Sequence, residues 1–245
     1  MNFVYAIAAS IIVSFISFTG AIALALNEKT LKKILVPMIG LSAGGLIGGA
    51  LLHLLPEAVE KTTGITPYIW LIAGFVFFFI LEKALFWRHC HGGGSCEIHP
   101  FTYLNLIGDG IHNFIDGLII GSVFSVDISL GIAATVSIIA HEIPQEIGDF
   151  GVLIYGGMEK KKALLFNFLT ALTAVAGTTA GFLLSGTFDG FTAALMPIAA
   201  GGFIYIGASD LVPELHKQPD KKISIISFIT FLAGIFMMLA LKLAH

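Results

Sequence analysis

GDGIHNFIDGLIIG, residues 108–121, is an apolar run interrupted by Asp109, His112, Asn113 and Asp116. A short distance on, ATVSIIAHEIPQEIGDFGVLIYG, residues 134–156, does the same with His141, Glu142, Gln145, Glu146 and Asp149. On a helix, positions three and four apart share a face. Residues 109, 112, 113 and 116 therefore form one polar stripe, and 142, 145, 146 and 149 another, with 141 beside 145. About 20 apolar residues suffice to cross the hydrocarbon core of a bilayer. The two stretches read as membrane-spanning helices that each carry a polar stripe.

The rest of the chain supports that solvent. Of 245 residues, 56% are hydrophobic and 12% charged, and the mean hydropathy is +0.92, far from the balance of a soluble domain. A net charge of -3 with basic residues in small clusters leaves no basic face for phosphate, which excludes nucleic-acid binding. Windows of about 20 apolar residues recur eight times, near 3–26, 34–59, 67–87, 101–124, 130–155, 163–184, 191–215 and 223–243. The connections are short, so residues 1–245 are expected to form a single integral membrane domain. Met1 to Leu26 lacks a basic leading segment, and its apolar run exceeds the roughly 7–15 residues of a signal peptide, so it is expected to stay as the first helix. Cys90 and Cys96 share one loop and imply no disulfide framework.

Loops after the odd-numbered spans hold Lys29, Lys32, Lys33, Lys83, Arg88, Lys160, Lys161, Lys162, Lys217, Lys221 and Lys222, whereas those after even-numbered spans hold only Lys61. Cytoplasmic loops collect basic residues, which predicts that the odd loops lie inside and both termini outside. The expected location is the cytoplasmic membrane.

LSAGGLIGGALLHLLPEA (41–58) in the second span aligns without gaps with IAAGGFIYIGASDLVPEL (198–215) in the seventh. The alignment pairs Gly44 with Gly201, His53 with Asp210, Pro56 with Pro213 and Glu57 with Glu214. By the predicted topology these helices run in opposite directions. The expected architecture is an all-α polytopic membrane protein of eight helices arranged 3+2+3, with helices 1–3 and 6–8 as an inverted repeat and a binding site near the midplane.

Between Arg88 and Lys160 there is no Lys or Arg. Carboxylates at mid-membrane each cost about 2.5–3.5 kcal/mol on insertion scales, so protons or a bound metal must supply the missing positive charge. If the two stripes face each other, His112, Asn113, Asp116, His141, Glu142 and Gln145 converge on one cavity. Mixed imidazole and oxygen donors suit zinc, iron(II) or manganese better than magnesium or calcium. Pro144 cannot donate to the carbonyl of Ala140, which predicts a kinked helix and a freed carbonyl beside the cluster.

HNFIDG (112–117) followed by HEIPQEIGDF (141–150) resembles the paired signature of the ZIP (Zrt-, Irt-like) metal transporters, close to the subgroup with HNFTDG and HEIPHELGDF. The resemblance implies uptake of divalent metal into the cytosol between the fourth and fifth helices. It places a first metal site on His112, Asp116, His141 and Gln145, and a second on Asn113, Asp116, Glu142 and Gln145. Gln145 stands where related proteins have His or a carboxylate, and a neutral amide is a poor bridge between two metals. Leu46 stands where some bacterial members have a Met ligand, so no thioether is expected. His141, an imidazole where broader members have Glu, ranks zinc first, with iron, manganese and cadmium as the broader alternative.

A weaker group comprises Glu146, Asp109 and Asp149 on the same helices, and His53, Glu57, Asp210 and Glu214 toward the ends of the repeated helices, where they line the metal path or reach water. Asn167 of the sixth span is a further candidate for the cavity, without a strong local signal. HCHGGGSCEIH (89–99) puts His89, Cys90, His91, Cys96 and His99 in one Gly-rich loop, either a metal-capturing segment or a solvated linker. No prosthetic cofactor is expected; the expected partners are divalent metal ions and membrane lipid, and a homodimer is compatible with the pattern. A proton or cation channel remains the rival function. An intramembrane metalloprotease needs HExxH, and Gln145 occupies its second His position, so no enzyme activity is expected.

Overall fold

The computed structural model describes residues 2–25, 28–89, 98–184 and 189–243, and among the described residues every regular element is a helix. Helix α1 (Asn2–Phe15) continues as a tighter 3-10 stretch, Ile16–Ala25. Helix α2 (Glu28–Gly49) passes through a π-helical turn, Ala50–Leu54, into α3 (Leu55–Lys61). Then come α4 (Thr66–His89), α5 (Pro100–Val126) and α6 (Ile128–Tyr155). A broken pair follows, α7 (Lys160–Ala171) and α8 (Thr173–Leu183). Helix α9 (Asp189–Tyr205) passes through a second π turn, Ile206–Leu211, into α10 (Val212–His216), and α11 (Lys221–Leu243) closes the described chain. These elements form eight rods that coincide with the eight expected spans, the second starting a few residues earlier than expected.

The protein is an all-α polytopic membrane protein. Six rods are long and apolar enough to span a membrane on composition alone. The other two, α5 and α6, carry the polar stripes and lie inside the bundle, where Asp109, His112, Asn113, Asp116, Glu142 and Glu146 are all buried. The periphery is apolar and exposed, with Val4, Ile72, Phe228 and Phe236 each about two-thirds accessible (69%, 60%, 59% and 61%). That is the surface lipid tails would cover.

Each irregular turn has a local feature beside it. Pro56 and Pro213 lack the N–H that would bond the carbonyl four residues back, so the preceding turn widens. Leu55 N–H instead reaches the Ala50 carbonyl, and Val212 N–H reaches that of Gly207. The two π turns occupy equivalent places in the repeated segments. Between α7 and α8 the Thr173 hydroxyl donates to the Thr170 carbonyl and, at 2.7 Å, to the Gly110 carbonyl of α5, competing with the helical ladder. The tightening after α1 begins where Ser14 and Ser17 hydroxyls donate to backbone carbonyls at 2.8–3.0 Å. By contrast α6 stays one element through Pro144.

Close helix approach depends on glycine. Gly117 and Gly121 of α5 lie against the carbonyls of Ala174 and Thr178, while Gly177 and Gly181 of α8 lie against those of Phe114 and Leu118; a Cβ at any of the four would strike a backbone oxygen. The repeated glycines do the same elsewhere, Gly44 against Phe231 of α11 and Gly201 against Leu71 of α4. Thus α2 packs along α11 as α9 packs along α4, and α6 lies between α2 and α5.

Candidate metal centre

Antiparallel α5 and α6 present their stripes to each other, because the short link at Asp127 turns one directly into the other. His112, Asp116, His141 and Glu142 each offer a ligand atom, and these atoms all lie within 4.8 Å of one another. His141 Nε2 is 3.0 Å from Asp116 Oδ2, and His112 Nε2 is 3.3 Å from Glu142 Oε1 and 3.7 Å from Asp116 Oδ2. The imidazole rings of His112 and His141 are tilted, their centroids 5.4 Å apart.

Charge and hydrogen bonding both fall short in this group. Glu142 is fully buried, and neither its carboxylate oxygens nor the ring nitrogens of His112 make a well-formed hydrogen bond, Glu142 Oε1 and His112 Nε2 only approaching each other at 3.3 Å. Buried polar groups are normally paired, and an ionised carboxylate in an apolar interior is costly unless something positive offsets it. Two carboxylates and two imidazoles at this spacing fit a divalent ion, and the nitrogen and oxygen mixture fits zinc.

Three of the four, His112, Asp116 and His141, line a cavity of about 270 Å³. Its walls include Gln145, His53, Glu57 and Met238. His53 Nε2 lies 2.9 Å from the Met238 carbonyl, and Glu57 at the mouth pairs with Lys61 at 2.8 Å. Gln145 borders the cavity with its amide nitrogen unpartnered; rotating the amide by half a turn would present its oxygen there instead. Met238 of α11 was not flagged by the sequence, and it puts a methionine on the cavity wall although Leu46 is buried in the core. No motif surrounds Met238, so only the packing of α11 on α2 could identify it.

The remaining candidates fall elsewhere. Asn113 donates its amide nitrogen to Asp109 Oδ1 at 2.8 Å, which leaves its amide oxygen without a partner. Asp109 also accepts from Thr170 at 2.6 Å, Asp149 from Ser42 at 3.3 Å, and Glu146 from Asn167. These residues form a second buried polar layer, which Asn167 joins although nothing near it in the sequence announced this. Asp210 and Glu214 do not line the cavity. Glu214 lies near the far end of the bundle, accepting a 2.8 Å bond from Tyr155 at the end of α6 and pairing with Lys217. His99 stacks on Phe101 at 4.8 Å between centroids. Cys90, His91 and Cys96 lie outside the described residues, as does the side chain of His89.

A family model described as the ZIP zinc transporter matches residues 88–242, well over half of the chain and both stripes. The chain belongs to the ZIP zinc transporter family. It is similar to zinc transporter zipt-7.1 of Caenorhabditis briggsae, at 30% identity over 75% of this chain and 62% of the relative. It is also similar to zinc transporter SLC39A7 of Homo sapiens, at 28% over 96% of this chain and 70% of the relative. Zinc transporter ZIP13 of Pongo abelii is 31% identical over 84% of this chain and 66% of the relative. The match thus spans roughly two-thirds of these relatives' own length. A transport protein of this family has no need of the second His of HExxH, and Gln145 stands at that position in this ZIP chain.

Proposed function

We propose that this protein imports divalent transition metal ions, zinc foremost, into the cytosol by alternating access through the site between α5 and α6. The observation that carries the reading is the quartet of His112, Asp116, His141 and Glu142, three of which line a cavity, with no Lys or Arg in α5 or α6 to offset its charge. Imidazole donors favour zinc over harder ions, with iron(II), manganese and cadmium as the broader set. Gln145 and the orphaned oxygen of Asn113 complete the candidate ligands, His53 and Glu57 the entry wall.

Import rests on the family, and the orientation of the cavity on charge. The cavity mouth at Glu57 and Lys61 belongs to the face with few basic residues, while Tyr155, Lys160 and Lys217 mark the basic face, taken as cytoplasmic. The cavity is thus open to the outside, and the polar layer of Asp109, Glu146 and Asp149 lies between the quartet and the cytosol. The 3+2+3 inverted repeat is supported by two findings: π turns at matching places in α2–α3 and α9–α10, and α2 on α11 mirrored by α9 on α4. A cation channel would need a continuous wet path, whereas Asn105, Glu146, Asp149 and Asn167 beneath the quartet are all 2% exposed or less.

Metal flux into proteoliposomes tests the function, comparing zinc with manganese, iron(II) and cadmium while the pH gradient is varied. Zinc uptake that saturates and outcompetes manganese is expected; absence of uptake of any of the four ions sinks the reading. Orientation is tested by impermeant thiol labelling, which should reach cysteines placed at either terminus from outside but not Cys90 or Cys96.

A further inference from the structure

A second cavity, of about 320 Å³, lies between α10 and α11, well away from the metal centre. Val212, Leu215 and His216 of α10 wall one side, and Ser224, Phe228 and Phe231 of α11 the other. Positions 221, 224, 228 and 231 are three and four residues apart, so Lys221 heads the stripe that Ser224, Phe228 and Phe231 continue along the wall. The stripe grades from charge through hydroxyl to aromatic ring. At 1.5 Å per residue it runs about 15 Å, half of the roughly 30 Å hydrocarbon core. That is the depth of one leaflet.

The head of the groove is basic, and its charge is not spent within the chain. Lys217 pairs with Glu214, whereas Lys221 and Lys222 are exposed and their ammonium groups pair with no carboxylate among the described residues. Asp220, the acid beside them, accepts from the backbone N–H groups of Lys222 and Ile223 at 2.8 and 3.1 Å, and so caps α11. The repeat offers a contrast. On the other face the matching link, residues 62–65, carries no lysine, and Lys61 before it pairs with Glu57.

We propose that the groove between α10 and α11 binds one anionic phospholipid, its phosphate at Lys221, Lys222 and His216 and an acyl chain between Leu215, Phe228 and Phe231. Charge complementarity selects this occupant: a zwitterionic headgroup brings its own cation next to the phosphate, and an anionic one does not. Anionic lipids gather in the cytoplasmic leaflet, the side assigned to this basic face. The proposal goes beyond the transport reading and does not depend on the metal site. Its consequence reaches α6 all the same, because α10 also carries Glu214, the acceptor of the Tyr155 hydroxyl.

Native mass spectrometry of the delipidated full-length protein, mixed with equal phosphatidylglycerol and phosphatidylcholine of one chain length, tests this. Wild type should retain one phosphatidylglycerol in preference to phosphatidylcholine. K221Q/K222Q should lower that preference by about tenfold, while K161Q/K162Q, which removes the same charge from exposed positions at the start of α7, should keep it. S224F leaves every lysine in place, fills the groove and should lose the bound lipid. No preference in wild type, equal losses in the two lysine pairs, or an S224F protein that still retains the lipid would each overturn the proposal. Should S224F not fold, the two lysine pairs decide alone. Wild type that binds no lipid but forms a dimer, which S224F converts to monomer, would put a second copy of the chain in the groove and refute the lipid.

Discussion

Tyr155→Phe is the sharpest perturbation of the transport cycle available, because it removes one hydroxyl and nothing else. That hydroxyl donates to Glu214 Oε2 at 2.8 Å and ties the end of α6 to α10 at the face opposite the cavity mouth. Phenylalanine keeps the ring, which stacks on Phe101 with centroids 6.4 Å apart, so packing should survive. Glu214 would not be stranded, since Lys217 still pairs with it. The loss is therefore that of an ordinary net hydrogen bond, about 1 kcal/mol, and not the larger penalty of an orphaned buried charge. If the bond exists only while that face is closed, its loss shifts the equilibrium toward opening there by about fivefold, given that 1.4 kcal/mol is a factor of ten. Ser42→Cys reports on this, for Ser42 is only 4% exposed and sits beside Asp149. In a background with Cys90 and Cys96 changed to Ser, the rate at which a thiol reagent reaches Cys at position 42 from the Tyr155 face should rise about fivefold in Tyr155→Phe. An unchanged rate, with the variant folded and metal binding intact, would mean that the bond does not distinguish the two states.

His112→Ala and Asp116→Ala should each remove most zinc uptake in proteoliposomes while leaving the detergent-extracted protein monodisperse, because each deletes a donor from the buried quartet; wild-type flux in both would refute the site. Gln145→His should lower the half-saturating zinc concentration and reduce the maximal rate, since a stronger donor binds and releases more tightly, while Gln145→Glu should shift preference toward manganese in competition uptake. Gly117→Ala drives a Cβ into the Ala174 carbonyl and should destabilise the fold by about 1–3 kcal/mol, seen as a lower melting temperature in detergent; no change would mean that α5 and α8 separate at little cost.

Much of this was legible from residue spacing. Recurring apolar windows count eight rods, the partition of Lys and Arg between loops supports that count, and offsets of three and four gather the donors of each helix on one stripe. The pairing of Pro56 with Pro213 marked two helices, yet the i to i+5 bond that each proline provokes is decided by how neighbouring helices hold the turn, which local sequence does not encode. Partners far apart in the chain were equally hidden. Asn167 on Glu146, Tyr155 on Glu214 and Met238 on the cavity wall have no repeat, motif or spacing to announce them, because each contact is made by packing between helices that the sequence does not rank. Asn113 shows the reverse limit: its place on the stripe was right, but a rotamer choice turned its amide nitrogen toward Asp109.

The four glycines that key α5 to α8 also bear on how such a protein can change its cargo. With Gly117 and Gly121 seated on carbonyls of one helix while Gly177 and Gly181 receive the carbonyls of the other, α5 has little freedom to swivel about its own axis. The spatial address of each position on its donor stripe is thus indexed from behind. Exchange of a single donor alters the chemistry at that address and leaves the others where they were, so metal preference can drift one residue at a time without rebuilding the scaffold that holds it.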